Sequence, residues 1–315
     1  MTAQVLAVVN MKGGVGKTVT VVSLADTLAA RGLGPVLVID VDTQASASYC
    51  LAGDDKLTEL IKTGRTIDQF LEARLIRQAQ IPLEHFVQRQ VSNTTAAGKG
   101  QLDVALVPSS TKLRLSEREV LHKLTQKGLS LTGIEMELTN TLENELHQLG
   151  KEFRYVIFDC APGISPFTTA AVSLANLVIV PTIPDFLSFL GLDAFLHSVR
   201  SDMTNAAGRR APHVLITRSL ARSPRGWATL WNASKGKRQK MNHHDNVEKQ
   251  IRSLAKKSPQ ELKVFRTTID EASAIPVAMS MGAAHKSSPT FQMKYPAPLN
   301  KVLDQLTKEI EEALR

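Results

Sequence analysis

The chain has only two cysteines in 315 residues, Cys50 and Cys160, and neither belongs to a Cys-x-x-Cys pattern. That excludes a disulfide framework and a thiolate metal knuckle, and it fits a reducing compartment. No apolar run approaches the roughly 20 residues that a membrane-crossing helix needs, and the run at residues 5–9 is shorter than the core of a secretion signal. A cytoplasmic protein is expected. Aromatic residues make up 5% of the chain, so the core must be built from aliphatic side chains, which the 43% hydrophobic content supplies. Acidic residues are outnumbered: 38 Lys and Arg against 30 Asp and Glu give a net charge of +8. An excess of that sign favours nucleic acid or an anionic membrane surface as partner.

What is present has a clear rhythm. Apolar and β-branched runs fall at residues 5–9, 35–40, 102–107, 155–159, 177–181 and 214–217. Between most of them lie helical patterns, such as VTVVSLADTLAARG, SEREVLHKLTQKG and MELTNTLENELHQLG. Buried apolar strands alternating with helices predict an α/β fold, a mainly parallel twisted sheet with helices on both faces. A single domain over residues 1–315 is expected, with loop insertions near 50–100 and 218–260 and a helix over 298–315. Because the sequence opens at its first strand, no helix-turn-helix module is expected before it.

The segment Lys12-Gly13-Gly14-Val15-Gly16-Lys17-Thr18 follows the first strand and precedes the first helix. Glycines let backbone N–H groups turn toward phosphate oxygens, and the helix that follows adds its positive end. Lys17 would reach the β- and γ-phosphates, and the Thr18 hydroxyl would ligate Mg²⁺. Such a string arises by chance in a chain this long with a probability on the order of 10⁻⁴. Met11 stands where the ordinary phosphate loop has Gly, and Lys12 is an additional lysine.

In these features the sequence resembles the ParA/MinD family of deviant Walker A P-loop ATPases, and the nucleotide site would run from Lys12 through Gly13, Gly14, Val15, Gly16, Lys17 and Thr18 to Val19. The resemblance implies ATP and Mg²⁺ as cofactors and a homodimer in which Lys12 reaches the nucleotide of the other subunit. Val19 departs from the family's Thr or Ser, which removes side-chain help to the α-phosphate. The run Asp40-Val41-Asp42-Thr43-Gln44 resembles the family's first switch, so Asp42 is implied to position the attacking water and Asp40 to support the Mg²⁺ shell. The run 155–162 resembles a Walker B strand ending in Asp159, a water-mediated Mg²⁺ ligand, followed by a second switch in which Ala161 replaces a family proline. The stretches LDVALVPSSTKLRLSERE, VPTIPDFLSFLGLDAF and FRTTIDEASAIPVAMSMG extend the resemblance to the ParA branch over most of the chain. Near Thr217 the family's adenine-contacting Asn is missing.

Three functions remain to be separated. A MinD-like protein would close on a membrane-binding helix. Here the last helix has Leu299, Val302, Leu303, Leu306, Ile310 and Leu314 on one side, and Asp304, Glu309, Glu311 and Glu312 beside Lys301, Lys308 and Arg315 on the other. That mixed, non-aromatic polar face predicts packing on its own domain and no membrane. A redox ATPase of the iron-protein kind would need cluster cysteines, whereas Cys160 reads as a small apolar residue. Residues 209–257 hold thirteen basic residues against Asp245 and Glu248, so the charge is local. In the ParA branch this region binds DNA without sequence preference, which makes Arg218, Arg222, Arg225, Lys235, Lys237, Arg238 and Lys240 candidates; the last four would form a mobile tether. The resemblance implies a nucleoid-associated dimer, released when a centromere-binding or cargo adaptor protein stimulates slow hydrolysis.

Overall fold

The computed structural model describes residues 3–96, 100–204, 211–219, 233–271 and 289–315. In chain order it gives β1 (Gln4–Val8), α1 (Lys17–Ala30), β2 (Val36–Val41), α2 (Ser46–Lys62), α3 (Ile67–Leu71), the short pair β3 (Thr95–Ala96) and β4 (Gly100–Gln101), and β5 (Val104–Val107). There follow α4 (Leu113–Gln126), α5 (Leu131–Leu149), β6 (Tyr155–Cys160), α6 (Pro166–Leu174), β7 (Leu177–Thr182) and α7 (Phe186–Thr204). The last described elements are β8 (His213–Ser219), α8 (Ala233–Lys257), β9 (Lys263–Glu271), α9 (Phe291–Lys294) and α10 (Ala297–Leu314).

Seven strands form one sheet in the order β5-β2-β6-β1-β7-β8-β9, and every pairing in it is parallel. The central strands β2, β6 and β7 are buried along their whole length because both faces are covered, and their apolar runs are broken only near the C-terminal end, by Asp40 and Asp159. Side chains alternate across β1: Val5 and Ala7 enter the core under α4, α5 and α6, while Leu6 and Val8 enter the core shared with α1 and α10. Each fully buried Leu, Ile or Val contributes roughly 1.5–3 kcal/mol to holding these layers. Since all seven strands run the same way, their C-terminal ends share one edge, where the loops carrying chemistry collect.

Three sequence expectations change here. The insertion near 50–100 is helical through α2 and α3 before it becomes irregular. Its helix breaks at Gly53, φ 74° and ψ 175°, where Asn93 Nδ2 donates to the Cys50 carbonyl at 2.7 Å. The stretch expected to be irregular after 218 includes α8, so Lys235, Lys237, Arg238 and Lys240 lie on a helix instead of a loose tether. Finally, β9 joins the sheet as an added edge strand.

Glu309, expected on the polar face of the last helix, is buried. Its carboxylate accepts from the backbone N–H of Arg266 at 2.7 Å and of Thr267 at 3.1 Å, and from the Thr267 hydroxyl at 2.7 Å. These are the amides of β9 that the irregular register between β8 and β9 leaves without a ladder partner. The apolar side of α10 packs on its own domain as expected, with Leu303, Leu306 and Ile310 buried in the α1 core.

A second polar knot lies behind α1. Lys294 Nζ sits 2.7 Å from Asp26 Oδ2, and both side chains are 0% exposed. Thr94 and Asn93 also accept from Lys294, and Ser92 and Tyr295 donate to Asp26. Burial, then the Asp26 charge, hold the Tyr295 phenol well above its ordinary range, so it stays a neutral donor. Desolvating two charges is tolerable only because each is paired and hydrogen-bonded on several sides.

Candidate functional site

Asn10, two residues past the end of β1, is buried. Its amide donates to the Pro181 carbonyl of β7 at 2.7 Å, and its carbonyl accepts from Lys12 N at 2.9 Å. This pins the start of the glycine loop to the sheet. Gly14 and Gly16 take φ of +73° and +89°, a region costly for residues with a Cβ. The helix α1 then begins at Lys17 with no side-chain cap and no acid in its first turn. Its leading N–H groups are therefore open to an anion, and the helix dipole favours one there.

The Lys17 ammonium folds back over this loop and donates to the Lys12 carbonyl at 3.2 Å. Burial lowers its pKa, while the Asp159 and Asp42 carboxylates oppose that shift. A desolvated ammonium beside unpaired N–H groups is suited to a multiply charged phosphate.

Thr18 Oγ1, on the first turn of α1, donates to Asp159 Oδ2 at 2.7 Å, joining the loop to the end of β6. The other oxygen, Asp159 Oδ1, is buried and has no hydrogen-bond partner. Burial, then the Asp40 charge, push Asp159 well above the usual carboxylate range. An orphaned carboxylate oxygen next to a hydroxyl fits a hard cation with oxygen ligands such as Mg²⁺. Among the described residues no three His, Cys, Asp or Glu side chains converge as a metal cage. Such an ion would depend on phosphate and water for the rest of its shell.

Asp40 and Asp42 emerge from the end of β2. Both Asp40 oxygens are engaged: Oδ1 accepts from Asp42 N at 3.0 Å, and Oδ2 from the Ser48 N–H and hydroxyl at 2.9 and 2.7 Å. Burial pushes its pKa up to about 6 against those hydrogen bonds. Asp40 thus anchors the loop between β2 and α2, and any service to a metal would pass through water. Asp42 accepts from Gln44 N at 2.9 Å through one oxygen and lies close enough to act on the Lys17 and Asp159 charges.

Lys12 does not point into the cradle. Its ammonium lies 2.7 Å from Asp185 Oδ2 and 3.2 Å from Ser188 Oγ, at the start of α7. Burial alone would raise the Asp185 pKa, but hydrogen bonds from Lys12 and Ser188 hold it below the ordinary value. Thr217 donates to the Val15 carbonyl at 3.0 Å, so the end of β8 braces the glycine loop. Val19 is half-buried against the α1 core, and Cys160 is buried in the opposite one.

The structure therefore gathers Lys12, Lys17, Thr18, Asp40, Asp42 and Asp159 at one sheet edge. It adds Asn10, Ser48, Asp185 and Ser188, none of which sequence reasoning singled out. Arg218 lies in β8, paired in register with Asp270 of β9, toward the same edge. Arg222 and Arg225 lie outside the described residues.

A family model described as "AAA domain" matches residues 3–207. The cell division protein PomZ of Myxococcus xanthus is 29% identical over 192 residues, covering 61% of this chain and 50% of PomZ. The chromosome partitioning protein ParA of Caulobacter vibrioides is 28% identical over 204 residues, 62% of each chain. The chain thus spans between half and two thirds of the length of these curated relatives. Among solved structures, an ATP complex of McdA from Cyanothece superposes with a TM-score of 0.65, covering 99% of this chain and 96% of McdA. At 20% identity that is a likeness of fold.

Proposed function

Since the chain belongs to the ParA/MinD family of P-loop ATPases, in its ParA branch, we propose that it is an ATP-driven dimerising switch that partitions DNA or positions another intracellular cargo. The observation that carries this reading is the assembly of the glycine loop, Lys17, Thr18 and Asp159 around an uncapped helix start. In it the loop N–H groups of residues 13–19 hold the phosphates, and Lys17 balances the charge on the β- and γ-phosphates. Thr18 and Asp159 would hold Mg²⁺, Asp159 by way of water, while Asp40 fixes the loop that presents Asp42. Mg²⁺ held there would withdraw charge from the phosphates. Asp42 orients a water whose oxygen attacks the γ-phosphorus as the bond to the β–γ bridging oxygen breaks, giving ADP and phosphate.

Lys12 is the residue that calls for a second subunit, because only there can it neutralise a γ-phosphate across a two-fold axis. Lys12→Gln should bind ATP as wild type does but lose the ATP-dependent dimer, as read by size-exclusion chromatography with a non-hydrolysed ATP analogue. A Lys12→Gln protein that dimerises normally would remove Lys12 from this role.

We place the protein in the cytoplasm, with its ATP dimer on the nucleoid and an adaptor protein speeding hydrolysis and release. The basic segment supports DNA as the track. The alternative, a MinD-like membrane cycle, finds no support in α10, whose apolar side is already spent on α1. The dimer should bind double-stranded DNA of any sequence in the ATP state and release it with ADP. Each neutralised phosphate adds about −0.9 to the slope of log affinity against log salt. Arg218→Ala removes one contact per subunit, so the slope should shrink by roughly 2 with no change in sequence preference. Titrating two unrelated duplexes at several salt concentrations tests this. Equal affinity with ATP analogue and ADP would break the link between nucleotide and DNA.

A further inference from the structure

The residue that the proposed function sends across the dimer axis is held at home in the single chain. We propose that Asp185 and Ser188 form a cis latch for Lys12, and that opening this latch is a cost that ATP-dependent dimerisation must overcome.

The latch is built from adjacent parallel strands. Lys12 follows β1, and Asp185 follows β7, its neighbour in the sheet. Asn10 fixes their spacing by binding the Pro181 carbonyl on one side and Lys12 N on the other. The Lys12 ammonium then meets a carboxylate oxygen at 2.7 Å and a hydroxyl at 3.2 Å. The other Asp185 oxygen accepts from Ser188 N at 2.7 Å, which caps the first turn of α7 and fixes the carboxylate's position. Two of the three ammonium donors are therefore occupied, by a carboxylate that is itself held in place. An ammonium in this contact cannot at the same time extend to a phosphate on another molecule. Both side chains remain partly open, at 35% and 27% exposed, so the contact is weak enough to release.

Two further side chains lie where release would be used. Phe186 and Leu190, one helical turn apart on α7 and directly after Asp185, are 56% and 49% exposed. A second copy of this chain docking at the phosphate edge would cover them while drawing Lys12 away from Asp185. Lys12 calls for that second copy, since it meets Asp185 and Ser188 beside this apolar pair and has a γ-phosphate as its only proposed destination.

The inference rests on Lys12 being the cross-subunit lysine, and the test separates the two. Sedimentation velocity of the full chain with Mg²⁺ and a non-hydrolysed ATP analogue gives the dimer dissociation constant for wild type, Asp185→Asn, Asp185→Glu and Lys12→Met. Asparagine keeps the helix cap and removes only the charge. A half-exposed ion pair weights its state by roughly twofold to fivefold. A symmetric dimer opens two latches, so that factor enters twice. Asp185→Asn should therefore tighten the dimer by about fourfold to twenty-fivefold. Asp185→Glu, still anionic, should return close to the wild-type value, which a loss of local packing would not do. If wild type dimerises, Lys12→Met does not, and Asp185→Asn is unchanged or weaker, the latch is wrong and the role of Lys12 stands. If Lys12→Met dimerises like wild type, that role fails and the latch falls with it.

Discussion

Asp42→Ala should cut ATP turnover by about 10²- to 10⁴-fold, the range a positioned base or water-holding group contributes, while ATP still binds. The separation follows from where the residue stands. Asp42 lies on the loop between β2 and α2, and its backbone is held independently of its side chain by the Asp42 N to Asp40 Oδ1 bond. Removing the carboxylate breaks no hydrogen bond to the glycine loop, Lys17 or Thr18. Lys17→Ala should differ in kind, losing binding and turnover together, because its ammonium sits over the loop itself. Fluorescent-nucleotide titration and phosphate release, measured on the same preparations, distinguish these patterns. Turnover unchanged in Asp42→Ala would remove that residue from the chemistry.

Lys294→Met should destabilise the chain by about 3–5 kcal/mol, since breaking one half of a buried pair leaves the other charge without compensation. For a domain of this size each kcal/mol lowers the midpoint by roughly 2–4 °C, so thermal unfolding followed by circular dichroism should shift by about 6–20 °C. The charge left behind is Asp26 on α1, whose remaining donors are the hydroxyls of Ser92, Thr94 and Tyr295. Adding Asp26→Asn to Lys294→Met removes the stranded charge while keeping an acceptor for Tyr295, and most of the midpoint should return. A double variant no more stable than Lys294→Met would mean that the lysine's packing, and not its charge, holds the site.

These two residues also mark what a sequence makes legible and what it hides. Asp42 was visible because a local string, Asp40 to Gln44, follows a continuous apolar run, and both signals lie within ten residues. The parallel strands were visible for the same reason, being buried on both faces. Lys294 was not: in FQMKY it looks like any exposed lysine, and its partners Asp26, Asn93 and Thr94 are about 200 residues or more away. Asp185 was hidden likewise, a single acid whose partner, Lys12, lies 173 positions earlier. The strand β9 escaped because the register between it and β8 is interrupted and its exposed positions dilute the apolar run. Local chemistry leaves a local trace, whereas a buried charge is explained only by what the fold brings to it.

The Glu309 carboxylate at the irregular part of β9 bears on how the protein behaves in a crowd. An edge strand with unclaimed amides invites another chain to add to it, and sheets that can be extended on one side grow without limit. Here one carboxylate from α10 occupies the amides of Arg266 and Thr267 and covers that stretch with a helix. Two copies are thus discouraged from meeting along this border, which under the proposed function leaves the phosphate end as the place for them to meet. The proposed switch, which would have to come apart after each cycle, would depend on that difference, since an association ruled by nucleotide is reversible and strand-by-strand polymerisation is not.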